Sequence, residues 1–366
     1  MPFLEVMAIK PWRAAKLGVP IFVGAATVCL AQPEQPLTLE LPLACRFGET
    51  CFIQQYFDHD PGPGAKDYRC GPMVYDGHDG VDLRLPTMAE QRKGVEVLAA
   101  APGVVRGMRD GMDDVSVRVA GPQSVKGREC GNGVVLAHPG GWETQYCHMA
   151  MGSLRVKTGP SVRAGTVLGL VGMSGDAEFP HLHLAVRHNG EKIDPFAPDS
   201  RQGACGGGPS LWSKDAAAAL AYRSPTLLNA GFAAGPVTMD EVESGRVAGR
   251  VPADDSANMV AFVRAIGLRA GDVQTMILRA PGGRGSGAQR KRSPGRQQGP
   301  MADVHREKAH HRPLAFGPLP GAIRSAPRRR DRVNQAFRIR SAVTCGVPAI
   351  QGHCPRYYKY GEHYGV

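Results

Sequence analysis

From about Leu41 to Phe196 short apolar runs alternate with turns rich in Gly, Asp and Pro: Val95 to Ala100, Gly103 to Arg106, Val115 to Val119, Gly133 to Ala137 and Thr166 to Val171. Runs this short, bounded by turn residues, predict strands of an antiparallel sheet rather than helices. Gly133 to Ala137 and Trp142 to Cys147 flank His-Pro-Gly-Gly, which predicts a hairpin. The stretch Gly203 to Ser210, Gly-Ala-Cys-Gly-Gly-Gly-Pro-Ser, has the composition of a linker. Beyond it, Met259 to Leu268 and Val273 to Leu278, joined by Arg-Ala-Gly-Asp, suit two strands and a turn, and Lys214 to Tyr222 suits a short Ala-rich helix. After Pro281 no apolar period is sustained, and a segment of that kind cannot bury enough apolar surface to offset its ordering entropy. The expected fold is all-β: an antiparallel sheet domain over residues 41–200, a linker over 201–212, a small accessory β domain over 213–280 and a disordered basic tail over 281–366. No internal repeat is evident.

Charge changes this picture only in the tail. The formal net charge is +11, but residues 279–340 hold 16 Lys and Arg against 3 Asp and Glu, leaving 28 against 30 elsewhere. Any function sited before residue 279 therefore acts without a basic patch, and no specific nucleic-acid partner is expected. The tail is either a polycationic arm for anionic polymers or the product of a reading-frame error that replaced a folded C-terminus.

The N-terminus and the cysteines speak to compartment. Lys10, Arg13 and Lys16 precede the apolar run Leu17 to Ala31, which reads as a secretory signal over residues 1–31, ahead of a Pro/Gln-rich leader over 32–40. The run is short for a membrane span of ~20 residues, with an uncleaved anchor as the alternative, and no later segment is apolar enough to cross a membrane. Without Cys29 of the signal, eight cysteines remain: Cys45, Cys51, Cys70, Cys130, Cys147, Cys205, Cys345 and Cys354. An even number in an exported chain predicts disulfides. The hairpin brings Cys130 opposite Cys147, and Cys45 with Cys51 would close a tight local loop. No C-x-x-C pair exists to suggest a Cys-based zinc site.

The candidate chemistry lies in histidines. In Tyr75-Asp76-Gly77-His78-Asp79-Gly80-Val81-Asp82, an extended chain would project His78, Gly80 and Asp82 from one face, with room over Gly80 for an ion. In Phe179-Pro180-His181-Leu182-His183-Leu184-Ala185-Val186, His181 and His183 share a face, and two imidazoles on one face of an apolar strand are hard to satisfy in a core. Tyr146-Cys147-His148, on the outgoing hairpin strand, would put a phenol and an imidazole on one face. Each segment alone also fits a structural role, as a turn, a solvated face or a strand end. Together, two His and one Asp make a donor set suited to Zn²⁺ with a fourth position for water. His59, between two Asp, reads as a turn, and His138 as packing at a strand end. His305, His310 and His311 lie in the tail. Neither a G-x-S-x-G nucleophile elbow nor a phosphate-binding loop is present.

These segments resemble the lysostaphin-type, or LytM-like, zinc metallopeptidases that cut peptidoglycan peptides. The resemblance rests on His78-Asp79-Gly80-Val81-Asp82, on Tyr146-Cys147-His148, and on Gly172 to Pro195, which matches the family's G-x-S-G…P-H-L-H…V-R…N-G…D-P pattern nearly in full over a span of about residues 45 to 200. It implies that His78, Asp82 and His183 bind Zn²⁺, and that His181 and His148 are catalytic. The sequence departs from the family at Phe179, where Gly is usual, and at Leu184 and Ala185, where an aromatic and a Glu commonly occur. Zinc supplies hydroxide near neutral pH and polarises a carbonyl. One imidazole then moves a proton and the other stabilises an oxyanion, with His181 the base and His148 the oxyanion partner, or the reverse. The expected activity is zinc-dependent hydrolysis of amide bonds in peptidoglycan stem peptides or cross-bridges, in the periplasm or outside the cell. The alternatives are a non-hydrolytic wall-binding or hydrolase-regulating domain, a secreted protease acting on proteins, and a polyanion-binding module built on the tail.

Overall fold

A computed structural model of the chain describes residues 37–269, apart from 202, 251 and 253–259, together with 272–279, 286–292 and 335–340. The strands in chain order are β1 (Phe52–Gln55), β2 (Val81–Arg84), β3 (Glu96–Leu98), β4 (Gly103–Arg109), β5 (Asn132–Ala137), β6 (Trp142–Met149), β7 (Ser161–Val162), β8 (Val167–Leu170), β9 (His181–His188) and β10 (Glu191–Ile193). After them come β11 (Thr226–Ala233), β12 (Val260–Ile266), β13 (Val273–Arg279), β14 (Ser286–Arg292) and β15 (Gln335–Arg340). The helices are short: α1 (Met88–Arg92), α2 (Val117–Ala120), α3 (Lys214–Ala219) and α4 (Met239–Ser244).

The fold is all-β. The main sheet runs β1-β2-β9-β6-β5-β4-β7 with β10 beside β9, every pair antiparallel, and β3 pairs separately with β8. The predicted β5–β6 hairpin is present, closed by Pro139–Gly141. One face of the sheet carries Val81, Leu83, Val134, Leu136, Leu182, Leu184 and Val186 into a core shared with Val97 of β3 and Leu168 of β8. The other face carries the polar residues of the candidate site.

Val115 to Val119 is a departure from expectation. Instead of a strand, Val117–Ala120 forms one helical turn. Among the described residues no strand pairs with it; Ser116 caps the turn by accepting from the Arg118 N–H, and its hydroxyl donates to the Glu178 carbonyl. Only Val117 is buried, while Val119 is 81% exposed. The β propensity of Val gives way to local capping and packing.

The segment after the Gly-rich stretch shares the core of the main sheet. Leu211, Trp212, Ala216, Leu220, Leu228 and Ile266 belong to the same cluster as the strand residues. Leu39, at the end of the leader, is fully buried and bridges to Trp212. The Gly-rich stretch itself is tied down by a disulfide from Cys205 to Cys70. The predicted Cys45–Cys51 and Cys130–Cys147 bridges are both formed. β12 and β13 are strands, but they do not pair with each other: β12 pairs with β11, and β13 lies between β14 and β15. Within the span read as a tail, β14 and β15 are thus paired strands. The remaining tail residues, with Cys345, Cys354, His305, His310 and His311, lie outside the described residues, as does the signal segment.

An ionic cluster ties α4 and the β11–β12 strand pair to the end of β2. Arg84 is 1% exposed and donates from Nη2 to both Glu243 oxygens at 2.8 and 2.9 Å and from Nη1 to Gln54 Oε1 at 3.0 Å. Arg264 of β12 donates to the same Glu243 carboxylate and to the Pro86 carbonyl. Burial, together with the neighbouring Arg84, pushes the Arg264 guanidinium down to about 10. One carboxylate therefore faces two buried cations, and removing it leaves both without their counter-charge. Glu243→Ala should destabilise the protein by about 3–5 kcal/mol in urea unfolding, whereas Glu241→Ala, at the α4 N-terminus, should cost much less.

Candidate metal centre and active site

The site is built on the β2–β9 ladder. In its antiparallel register Asp82 lies opposite His183 and Arg84 opposite His181. Alternation then sends all four polar side chains to the open face while Leu83, Leu182 and Leu184 enter the core. His78 arrives by another route. The strand begins only at Val81, and the preceding residues form a turn in which the His78 N–H donates to the Tyr75 carbonyl and Gly77 has φ +76°. The period-two spacing expected for His78, Gly80 and Asp82 therefore does not operate; the turn delivers His78 instead.

Three donor atoms converge. His78 Nε2 lies 3.1 Å from Asp82 Oδ1 and 3.2 Å from His183 Nδ1, and His183 Nδ1 lies 2.9 Å from Asp82 Oδ1. They form the metal-competent cluster of the described residues. Donor spacings of this size approach the roughly 3.3 Å edge of a tetrahedron with metal–ligand bonds near 2.0 Å, so the set fits a small tetrahedral cation. Gly80 matters here in a way the sequence pattern did not suggest. A Cβ at that position would sit 2.6 Å from His183 Nε2 and 2.7 Å from the Leu184 carbonyl oxygen, so the missing side chain makes room for the His183 ring.

Each ring of the cluster is oriented from behind. His78 Nδ1–H donates to the Tyr56 carbonyl at 2.6 Å, which leaves Nε2 as a lone pair facing the cluster. His183 Nε2 faces Asp79 Oδ1 at 3.3 Å, and Asp79 is in turn held by Lys192. This carboxylate–imidazole arrangement fixes the ring and raises its basicity. Burial alone would lower the His183 imidazole, but Asp79 and Asp82 push it up to about 9. Burial likewise opposes ionisation of Asp82, yet His78, His181 and His183 hold its carboxyl well below the usual range. The buried cluster is thus a net acceptor of positive charge.

Two further imidazoles flank it. His181 Nδ1–H donates to the Phe179 carbonyl at 2.8 Å, leaving Nε2 3.6 Å from Asp82 Oδ1. His148 Nδ1–H donates to the Ser174 carbonyl at 2.8 Å, and its ring centre is 4.6 Å from that of His181. Burial pushes both imidazoles down, His148 further because His181 and His183 crowd it with like charge. His148 does not share a face with Tyr146. The β5–β6 register shifts between Asn132 and Val134, His148 adopts φ +61°, and this bulge turns its ring into the site. Tyr146, fully buried, instead accepts from the Ala100 N–H at 2.8 Å and lies 3.1 Å from the Thr144 hydroxyl.

Phe179 stands between Arg84, 4.1 Å above its ring centre, and His181, 4.8 Å from it. The Arg84–Glu243 cluster therefore backs the ring that carries His181. Glu243, distant in sequence, and Asp79, adjacent to a ligand, were not singled out by pattern; only the second had a local signal. His59 Nε2 meets Asp194 Oδ2 of the Asp-Pro pair at 2.7 Å in a buried contact. His138 packs at the strand end, donating to the Pro102 carbonyl.

The sheet floor thus carries a His/Asp/His cluster that could hold a metal ion, with two imidazoles beside it. Residues 76–195 match Peptidase family M23. Among curated relatives, the DD-carboxypeptidase/endopeptidase Mpg of Neisseria meningitidis is 31% identical over 134 residues, 36% of this chain and 25% of the relative. The cell division protein DipM of Caulobacter vibrioides is 32% identical over 111 residues, 30% of this chain and 14% of the relative. The chain thus spans a quarter or less of these relatives. Among solved structures, the catalytic domain of the prophage-encoded M23 protein EnpA from Enterococcus faecalis is 25% identical with a TM-score of 0.29, covering 42% of this chain and 93% of that one.

If Gly80 exists to clear the His183 ring, Gly80→Ala should lower zinc uptake at least tenfold in a competition titration, whereas Gly77→Ala, whose added carbon meets nothing within 4 Å, should leave uptake within about twofold and cost only about 1 kcal/mol of turn strain.

Proposed function

We propose that the domain is a zinc-dependent endopeptidase that hydrolyses amide bonds in bacterial peptidoglycan peptides, outside the cytoplasm. One observation carries the reading: three mutually close donors, His78, Asp82 and His183, lie beside two imidazoles whose Nε2 atoms make no hydrogen bond among the described residues. His78, Asp82 and His183 would hold Zn²⁺. When bound, the ion supplies Lewis acidity toward a carbonyl and water acidified to a pKa of about 7. The peptidoglycan substrate is supported by the Mpg and DipM relatives, and three disulfides favour an oxidising compartment.

The chain's own groups move the proton. With Nδ1–H committed to a carbonyl, a neutral His148 or His181 can only accept at Nε2. His181 is the better base, because Asp82 offsets the burial cost of its charged form; it takes the proton of the nucleophile and passes it to the leaving amine. His148 could donate to an oxyanion only after taking up a second proton, which burial and the neighbouring imidazoles oppose. We therefore assign His148 to orient the nucleophile by accepting a hydrogen bond at Nε2, in place of a standing oxyanion contact.

The test is release of new amino termini from purified peptidoglycan by the full chain, with zinc measured by elemental analysis. About one zinc per chain and chelator-sensitive release are expected. His183→Ala should remove both. His148→Ala should keep the zinc and lower turnover by about 10²-fold or more. Zinc without release in the unaltered chain would point to a wall-binding module instead. Because Asp79 and Asp82 push the His183 imidazole up to about 9, zinc must displace a proton below that pH; apparent zinc affinity should climb roughly tenfold per pH unit toward that value and then flatten.

A further inference from the structure

We infer that the Cys130–Cys147 disulfide is a positioning element for His148, required for turnover and dispensable for metal binding. The inference rests on the peptidase reading and adds to it a pair of residues that touch neither metal nor substrate. Cys147 immediately precedes His148 within the bulge, and it faces His183, a ligand of the cluster, across the β6–β9 ladder. Its partner Cys130 ends the loop before β5, with the two Cα atoms 4.8 Å apart.

The bridge holds the bulge in two ways at once. It fixes Cys147 covalently, and the Cys130 carbonyl accepts from the His148 N–H at 2.8 Å. That bond anchors the backbone of a residue whose φ of +61° is unfavourable for a side chain with a Cβ. The other face of His148 is held by the Gly172–Gly175 turn: the Gly172 N–H donates to the His148 carbonyl at 3.0 Å, and the Ser174 carbonyl accepts from the ring. Gly133 completes the fit, since a Cβ there would meet the Tyr146 carbonyl oxygen at 2.4 Å and Cys130 Sγ at 3.0 Å. Opening the disulfide frees Cys130 to withdraw its carbonyl, and the bulge can then relax toward regular alternation. Regular alternation would take His148 off the line to His181.

The cluster of His78, Asp82 and His183 has no such dependence. Its geometry comes from β2, β9 and the turn before β2, and its supporting contacts come from Tyr56 and Asp79. The other two disulfides lie elsewhere: Cys45–Cys51 closes a local loop and Cys70–Cys205 ties the Gly-rich stretch.

The test compares the full chain with its C130S/C147S and C45S/C51S variants for peptidoglycan hydrolysis, zinc content and thermal unfolding. For C130S/C147S the expected result is one zinc per chain, KM within about twofold of the parent, and kcat lowered by about 10²-fold, the scale of a misplaced catalytic group. C45S/C51S should keep kcat while losing stability. If C130S/C147S does not fold, the single variant Gly133→Ala, which strains the same bulge without breaking the bridge, should show the same fall in kcat with zinc retained. Parental kcat in a folded C130S/C147S variant would overturn the inference, as would a fall in zinc content that matches the fall in kcat. Absence of hydrolysis by the zinc-loaded parent would instead overturn the peptidase reading itself.

Discussion

The register of β2 against β9 is the constraint on which the site depends. Pairing Asp82 with His183 and Arg84 with His181 commits four polar side chains to one face and the intervening leucines to the core. A slip of one residue would reverse every assignment, burying two imidazoles and exposing Leu182 and Leu184, so the hydrophobic face that stabilises the sheet also enforces the donor geometry. Folding and ligand placement are the same event at this ladder.

Around the ladder, the protein spends its irregular backbone on imidazoles. A turn with Gly77 at positive φ delivers His78, a bulge with positive φ at His148 delivers the fourth ring, and a glycine at position 80 leaves room for the third. Each ring nitrogen that does not face the cluster has a named partner: the Tyr56, Ser174 and Phe179 carbonyls, and the Asp79 carboxylate. These partners decide which nitrogen of each ring carries a lone pair, and hence which atom can bind a cation or accept a proton. The Arg84–Glu243–Arg264 cluster extends the support behind Phe179 and joins the β11–β12 strand pair to the site.

Strand alternation and local chain closure account for the features legible in the sequence. The His181/His183 pair, the Pro-Gly-Gly hairpin, and the Cys45–Cys51 and Cys130–Cys147 bridges all have sequence-local causes, and the structure shows each of them. The motifs around these residues also point to the peptidase family that residues 76–195 match. His78 and His148 converge on the site by routes that alternation misstates, because a turn and a bulge each break the period of two. Val117–Ala120 departs from the expected strand because a serine cap and the absence of a strand partner outweigh β propensity. Glu243 is invisible in the sequence for a different reason: nothing local marks a carboxylate that will sit between two buried arginines from β2 and β12.

The central claim is that one zinc ion is held by two imidazole nitrogens and one carboxylate oxygen on this ladder. Zinc-edge X-ray absorption of the zinc-loaded full chain tests it most directly. The predicted result is a shell of nitrogen and oxygen donors near 2.0 Å, with multiple scattering from two imidazoles and no sulfur. A sulfur shell near 2.3 Å, or a spectrum unchanged by Asp82→Asn and His183→Ala, would contradict it.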